Sequence, residues 1–253
     1  MVTLPLQRLD AKIFSVDQAA SCLDSAWELL GRGVLRTWDS VLCRTQSAGK
    51  GRMGRTWHSP PGNIYAAWLC PEPDREWQPL VSLVLGYVLG RALWELGAVV
   101  SLKWPNDIWL SGGKVGGILV EERQGIYMAG VGINVLSPPP LDQLSDLSLK
   151  KVSCLASTLP GWPIAELWAT LVYRGSSWYE HLRATCTLDD FVKKYEEMML
   201  FRGQYMCIRT DKGDVCGSVR GISRRGEIRI QTAKGMFSFF SGSLTVPEGC
   251  CNC

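Results

Sequence analysis

Lys50, Arg52 and Arg55 fall within seven residues that also hold Gly49, Gly51 and Gly54, and Trp57 closes the run. Glycines let backbone N–H groups come close to a ligand, and the cations supply the charge that phosphate or carboxylate needs. The plain alternative is a solvated turn with incidental charges. Gly49-x-Gly51-x-x-Gly54 matches a dinucleotide fingerprint literally, but that fingerprint must open a helix whose N-terminus takes the pyrophosphate. Ser59-Pro60-Pro61-Gly62 follows almost at once and forbids that helix. A Walker loop needs Ser or Thr after its lysine, and Lys50 is followed by Gly51. What remains is an anion loop that works through side-chain charge. Lys114, just past the turn Ser111-Gly112-Gly113, is a further cation that a strand start can aim rigidly, or else an exposed hairpin lysine.

The elements around these residues read as α+β with a mixed, mostly antiparallel sheet. Ser21 and Asp24 fit a capping box, and Leu23, Ala26, Trp27 and Leu30 follow at helical spacing until Gly31 and Gly33. Val41–Thr45 reads as a strand feeding the loop, and Asn63–Leu69 as another. Leu85, Val88, Leu89, Ala92, Leu93 and Leu96 form a helix stripe ended by Gly97. Ile108–Leu110 and Val115–Val120 flank a hairpin turn, and Ile126–Val135 adds a strand. Ser137–Leu149, with three consecutive prolines, reads as an exposed connection. A long helix begins at Ile164, and Thr187 with Asp190 caps the next. After Phe201, short β-like runs (Tyr205–Arg209, Ser218–Ile222, Ile228–Thr232, Phe237–Phe240) alternate with Gly-containing turns, the spacing of a small five-stranded barrel.

Composition narrows the class. The chain has 253 residues, 46% apolar content and a formal charge of +3, which suits one sizeable core and gives no global argument for nucleic acid. Residues 201–246 carry eight Lys/Arg against three Asp/Glu, a local excess that suits nucleic acid, an acidic carrier domain or a cover over a nucleotide. Arg91 and Glu95 interrupt the longest apolar stretch, so it reads as a buried helix and no membrane span is expected. No secretory signal is read at the start. Of ten cysteines, seven are scattered singly, so reduced, buried thiols in a cytoplasmic protein are expected; Cys250, Cys251 and Cys253 form a terminal cluster read as a frayed tail.

Four blocks in order, Gln46-x-x-Gly49-Lys50-Gly51-Arg52-x-x-Arg55-x-Trp57, Lys103-Trp104-Pro105-Asn106-Asp107, Lys114-x-Gly116-Gly117-Ile118-Leu119 and Gly130-x-Gly132-Ile133-Asn134, resemble the biotin–protein ligase family. The resemblance runs from about Ser21 to Leu244. It implies a class II synthetase-like catalytic core over residues 1–200, an SH3-like module over 201–247 and a tail over 248–253, without the winged-helix DNA-binding unit of some relatives. The implied reaction joins the biotin carboxylate to the α-phosphate of ATP, then passes biotin from the adenylate to a lysine of a biotin carboxyl carrier domain in a carboxylase. No DNA or membrane partner is implied, and monomer and homodimer both remain open.

The resemblance also assigns roles. Lys114, Arg52 and Arg55 are the catalytic cations. Biotin falls to Ser21, Cys22, Gln46, Gly49, Lys50, Gly51, Arg52, Lys114, Gly116 and Gly117. ATP falls to Arg52, Arg55, Trp57, Asn106, Lys114 and Asn134. Mg²⁺ is expected through the phosphates of ATP, with no protein metal site. The family usually has Ser-Thr-Asn where this chain has Ser21-Cys22-Leu23, and arginines where it has Lys50 and Met53. Asp107 is read as orienting a lysine or magnesium. Alternatives are a lipoate or octanoate ligase or transferase and a catalytically silent biotin or nucleotide sensor. The KWPND block, the charged loop and the C-terminal module speak against the transferase.

Overall fold

The computed structural model describes residues 10–139, 151–210 and 213–247. Its main sheet has seven strands in the order β1-β2-β3-β7-β6-β5-β4. These are β1 (Ile13–Ala19), β2 (Ser40–Gln46), β3 (Ile64–Cys70), β4 (Ser101–Lys103), β5 (Asp107–Leu110), β6 (Gly113–Arg123) and β7 (Ile126–Ile133). Only the β1–β2 pair is parallel. β3 is buried along its whole length, so it reads in sequence as a continuous apolar run. Its alternate residues serve two layers. Ile64, Ala66 and Trp68 face the large core, while Tyr65, Ala67 and Leu69 face α1 (Cys22–Gly31). The large core is closed by α2 (Val81–Glu95), α3 (Ile164–Thr185) and α4 (Leu188–Met198).

The two expected capping boxes differ. Thr187 and Asp190 cap α4 reciprocally. Ser21 sits at the N-cap of α1 in an extended conformation but makes no side-chain cap bond. Asp24 is drawn away to an ion pair with Lys50, and the Cys22 N–H donates to Gln46 Oε1 at 2.8 Å. The Ser21 hydroxyl therefore has no helix partner, which matters for the site below.

Five further strands make a second antiparallel sheet, ordered β11-β10-β9-β8-β12. They are β8 (Tyr205–Thr210), β9 (Gly213–Ile222), β10 (Ile228–Thr232), β11 (Gly235–Phe239) and β12 (Ser243–Thr245). The strands arise where the alternation placed them, yet the ladder among the described residues is open, with three-residue β12 and β11 as its edges. Its inner residues Met206, Ile208, Val219, Ile228 and Ile230 join the large core. The β9–β10 turn is pinned to the rest of the chain: Trp104 Nε1 donates to Gly226 O at 2.9 Å, and Ile222 N to Glu196 Oε1 at 3.0 Å.

One cysteine expectation is corrected. Cys207 and Cys216 form a disulfide with Cα atoms 4.0 Å apart, because they face each other directly in the β8–β9 register. The strand expected over Ser218–Ile222 begins earlier, at Gly213, and so takes in Cys216. Most of Ser137–Leu149 and the cysteine tail lie outside the described residues. Among the described residues no helix is long and apolar enough to cross a membrane.

Candidate active site

The anion loop is a tight backbone loop. Gly51 N donates to Arg55 O and Trp57 N to Gly49 O, both at 2.8 Å, and Lys50 bridges to Thr56. A Cβ on Gly49 would stand 2.4 Å from Trp57 O, so the chain closes here only on glycine. Arg52–Gly54 forms a single 3₁₀ turn, with Met53 at φ 57° and exposed at the tip. No α-helix follows, as the prolines require.

Behind the loop lies one cavity. It brings together Ser21, Cys22, Gln46, Lys50, Gly51, Arg52, Arg55, Trp57, Asn106, Lys114, Gly117 and Asn134. Gly49 and Gly116 lie outside its lining. Gly49 serves loop closure, and Gly116 serves strand contact, since a Cβ there would meet Gly132 O at 2.8 Å.

Trp57 lies against strand backbone. A Cβ on Gly132 would sit 2.4–2.7 Å from its ring atoms, and one on Gly117 at 3.3 Å. These glycines of β7 and β6 form a seat that only side-chain-free strands provide. Trp57 Nε1 is buried without a partner among the described residues. Lys114 Nζ stands 5.4 Å from the Trp57 ring centroid and 2.7 Å from Asp107 Oδ1. Its backbone is held by Lys151 O and Ser153 N, in a parallel bridge to Val152.

Arg52 Nη1 donates to Asn106 Oδ1 at 3.2 Å, and Asn106 Nδ2 donates to Ile118 O at 2.9 Å. Burial lowers the Arg52 pKa, and the Arg55 charge lowers it further against an opposing pull from Asp107. Bringing an anion here restores what desolvation removes. Asn134 is buried, with Nδ2 donating to Ser153 O at 3.0 Å. Both asparagines thus brace the strands.

At the other end, Gln46 is used internally: Oε1 accepts from Cys22 N, and Nε2 donates to Ser59 Oγ at 2.9 Å. Ser21 is 1% exposed, lines the cavity, and its Oγ has no partner among the described residues. A buried hydroxyl with no partner costs free energy until a ligand satisfies it. Leu23 packs where a Gly130 Cβ would meet it at 2.8 Å, so it belongs to the α1 core.

One contribution has no signal in the sequence, and Gly132, which stands in the Gly130-x-Gly132-Ile133-Asn134 block, gains a site role that the block does not assign. The β12 segment lines the cavity through Gly242, Ser243 and Leu244, and Ser243 Oγ accepts from Arg55 Nη2 at 3.1 Å. Nothing local in sequence signals that contact. Gly132 had a legible signal, a second glycine two residues after Gly130 within one strand. Among the described residues no group of three or more His, Cys, Asp or Glu is placed to hold a metal ion.

A family model described as the biotin/lipoate A/B protein ligase family matches residues 27–136, which hold the loop, the KWPND block, Lys114 and Asn134. Over that segment the chain is similar to the family. It is 28% identical over 215 residues to the bifunctional ligase/repressor BirA of Bacillus subtilis, covering 81% of this chain and 65% of that protein. A biotin–[acetyl-CoA-carboxylase] ligase of Paracoccus denitrificans is 42% identical over 105 residues, covering 38% of this chain and 42% of that one. The chain thus spans less than two thirds of these curated relatives. Among solved structures, the biotin protein ligase of Aquifex aeolicus in complex with biotin and ATP superposes with a TM-score of 0.77 at 26% identity, covering 92% of this chain and 97% of that one.

Proposed function

We propose that this protein is an ATP-dependent biotin–protein ligase. It forms biotinyl-5′-adenylate and then transfers biotin to a lysine of a carboxylase's biotin carrier domain, in the cytoplasm. The observation that carries this is one cavity with two chemically different ends: an apolar end with one unsatisfied hydroxyl, and an end where Arg52, Arg55 and Lys114 converge.

The first step requires no general base, because a carboxylate is already ionised at neutral pH. It requires that two anions be brought together and that charge on the phosphoryl oxygens be stabilised. Lys114 stands where the carboxylate and α-phosphate would meet, with the loop arginines on the phosphate. Ser21 takes the ureido head, and Gly117 lets the strand approach the acid. Trp57, with Asn106 just before β5 and Asn134 just after β7, supplies the adenine end. Mg²⁺ would arrive on the ATP phosphates, with Asp107 the one carboxylate among the lining residues to face it. Residues 1–200 would form the catalytic unit and 201–247 the smaller one that holds Arg55 through Ser243.

The test is incubation with ATP, labelled biotin or lipoate, and a carrier domain. Label from biotin on the carrier lysine is expected. Label from lipoate alone would replace this reading with the sister activity, and absence of both label and pyrophosphate exchange would refute it.

A further inference from the structure

Two buried thiols meet at the apolar end of the cavity, and adenylation uses neither as a nucleophile. Cys22 opens α1 and lines the cavity. Cys43 lies on the face of β2 that α1 covers, and both belong to the same small core cluster. Both are free and buried. The backbone of Cys22 is already tied to the end of β2, through Gln46 Oε1. The two thiols share one small core, where the Cys43 thiol and burial push the Cys22 pKa well up while the Cys22 thiol lowers that of Cys43. Cys43 therefore carries the more thiolate-like sulfur, and Cys22 the one that faces the cavity.

We propose that Cys22 and Cys43 are an oxidisable dithiol whose closure to a disulfide disables the site and is blocked when ligand fills the cavity. The oxidant is of the peroxide class, small enough to enter beside Cys22. The Cys43 thiolate attacks one peroxide oxygen, the O–O bond breaks, and hydroxide leaves, giving a sulfenic acid. The Cys22 thiol then attacks that sulfur, the S–O bond breaks, and water leaves. Two thiols are oxidised and one hydrogen peroxide is reduced to two waters. The sulfurs must close to about 2 Å, which drags the start of α1 toward β2. Ser21 precedes Cys22 and Leu23 follows it, so both the cavity hydroxyl and the contact on Gly130 are displaced.

Cys70 is an internal comparison. It is fully buried away from the cavity lining, and burial pushes its thiol up to about 12, so it should stay unmodified.

The test treats the full chain with hydrogen peroxide, with and without biotin plus ATP, followed by non-reducing tryptic mapping. Trypsin places Cys22 in peptide 13–32 and Cys43 in peptide 37–44, with no other cysteine in either. The expected result is a link between these peptides in the free protein, suppressed by ligand. Biotin-dependent pyrophosphate exchange should fall about tenfold or more, the scale of a lost buried hydrogen bond, and return with dithiothreitol. Cys43→Ala should keep untreated activity and resist peroxide. Unlinked peptides, or equal loss of exchange in Cys43→Ala, would overturn the proposal; the wild-type map stands even if that variant misfolds. Ligand protection rests on the biotin reading, whereas the link does not. A link in protein that shows no exchange would therefore refute the substrate reading and support the dithiol.

Discussion

Lys114 and Gly117 stand on the same side of β6, with Lys114 Cε 3.5 Å from where a Gly117 Cβ would sit. Residues three apart on a regular strand face opposite sides. The β5–β6 register explains the exception: Trp109 pairs with Lys114 but Ile108 with Gly116, a bulge that takes up one residue. The bulge re-aims Lys114 over the bare backbone and against Asp107. With the two side chains 15% and 14% exposed, this is a shielded pair, and an incoming anion competes with Asp107 for the ammonium.

Asp107→Asn should therefore misplace Lys114 more than it weakens ATP capture. We expect kcat for biotin-dependent exchange to fall about 10–100-fold, with a smaller change in the KM for ATP. Steady-state kinetics on the variant read this split directly.

Gly132→Ala places a methyl group against the Trp57 ring. The ring must leave its seat, so the KM for ATP should rise and stability should fall by about 1–3 kcal/mol. Thermal melting and exchange kinetics measure the two effects.

Ser21→Ala should move affinity and stability in opposite directions. The hydroxyl has no partner among the described residues, so its removal should leave the melting temperature unchanged or raised. Biotin should bind about tenfold more weakly, which calorimetry on both proteins would show.

Alkaline pH should destabilise the fold through buried acids. Burial raises Cys70 from 9.0 to about 12, and Tyr65 and Tyr179 from 10.0 to about 12. Each is neutral when protonated and ionises more readily unfolded, so its contribution is complete below the unfolded pKa and is lost as pH rises through the folded one. The melting temperature should hold up to about pH 9 and fall between there and pH 12, and Cys70→Ala should flatten the onset of that fall.

Elements with strong local signals were legible in sequence: α2 from its apolar stripe, the β5–β6 hairpin from Ser111-Gly112, and α4 from its capping box. Strand β1 was not, because an edge strand with Asp17 and Gln18 lacks clean alternation and gains its partner only by pairing parallel to β2. The site divides similarly. Gly51, Arg52 and Lys114 carry their chemistry in residue type and order. Ser243 at Arg55 and Asp24 leaving Ser21 uncapped depend on contacts far apart in the chain, and the bulge that turns Lys114 is a register shift inside a hairpin whose turn residues signal the hairpin and not the shift.

In the proposed reaction Lys114 joins a biotin carboxylate to the α-phosphate of ATP. Biotin-dependent exchange of pyrophosphate into ATP, measured for wild type and Lys114→Ala, tests it most directly. Exchange is expected in the wild type, with a loss of about 100- to 1000-fold in the variant and the melting temperature preserved. Wild-type exchange rates in Lys114→Ala, or no exchange in the wild type with biotin, would contradict it.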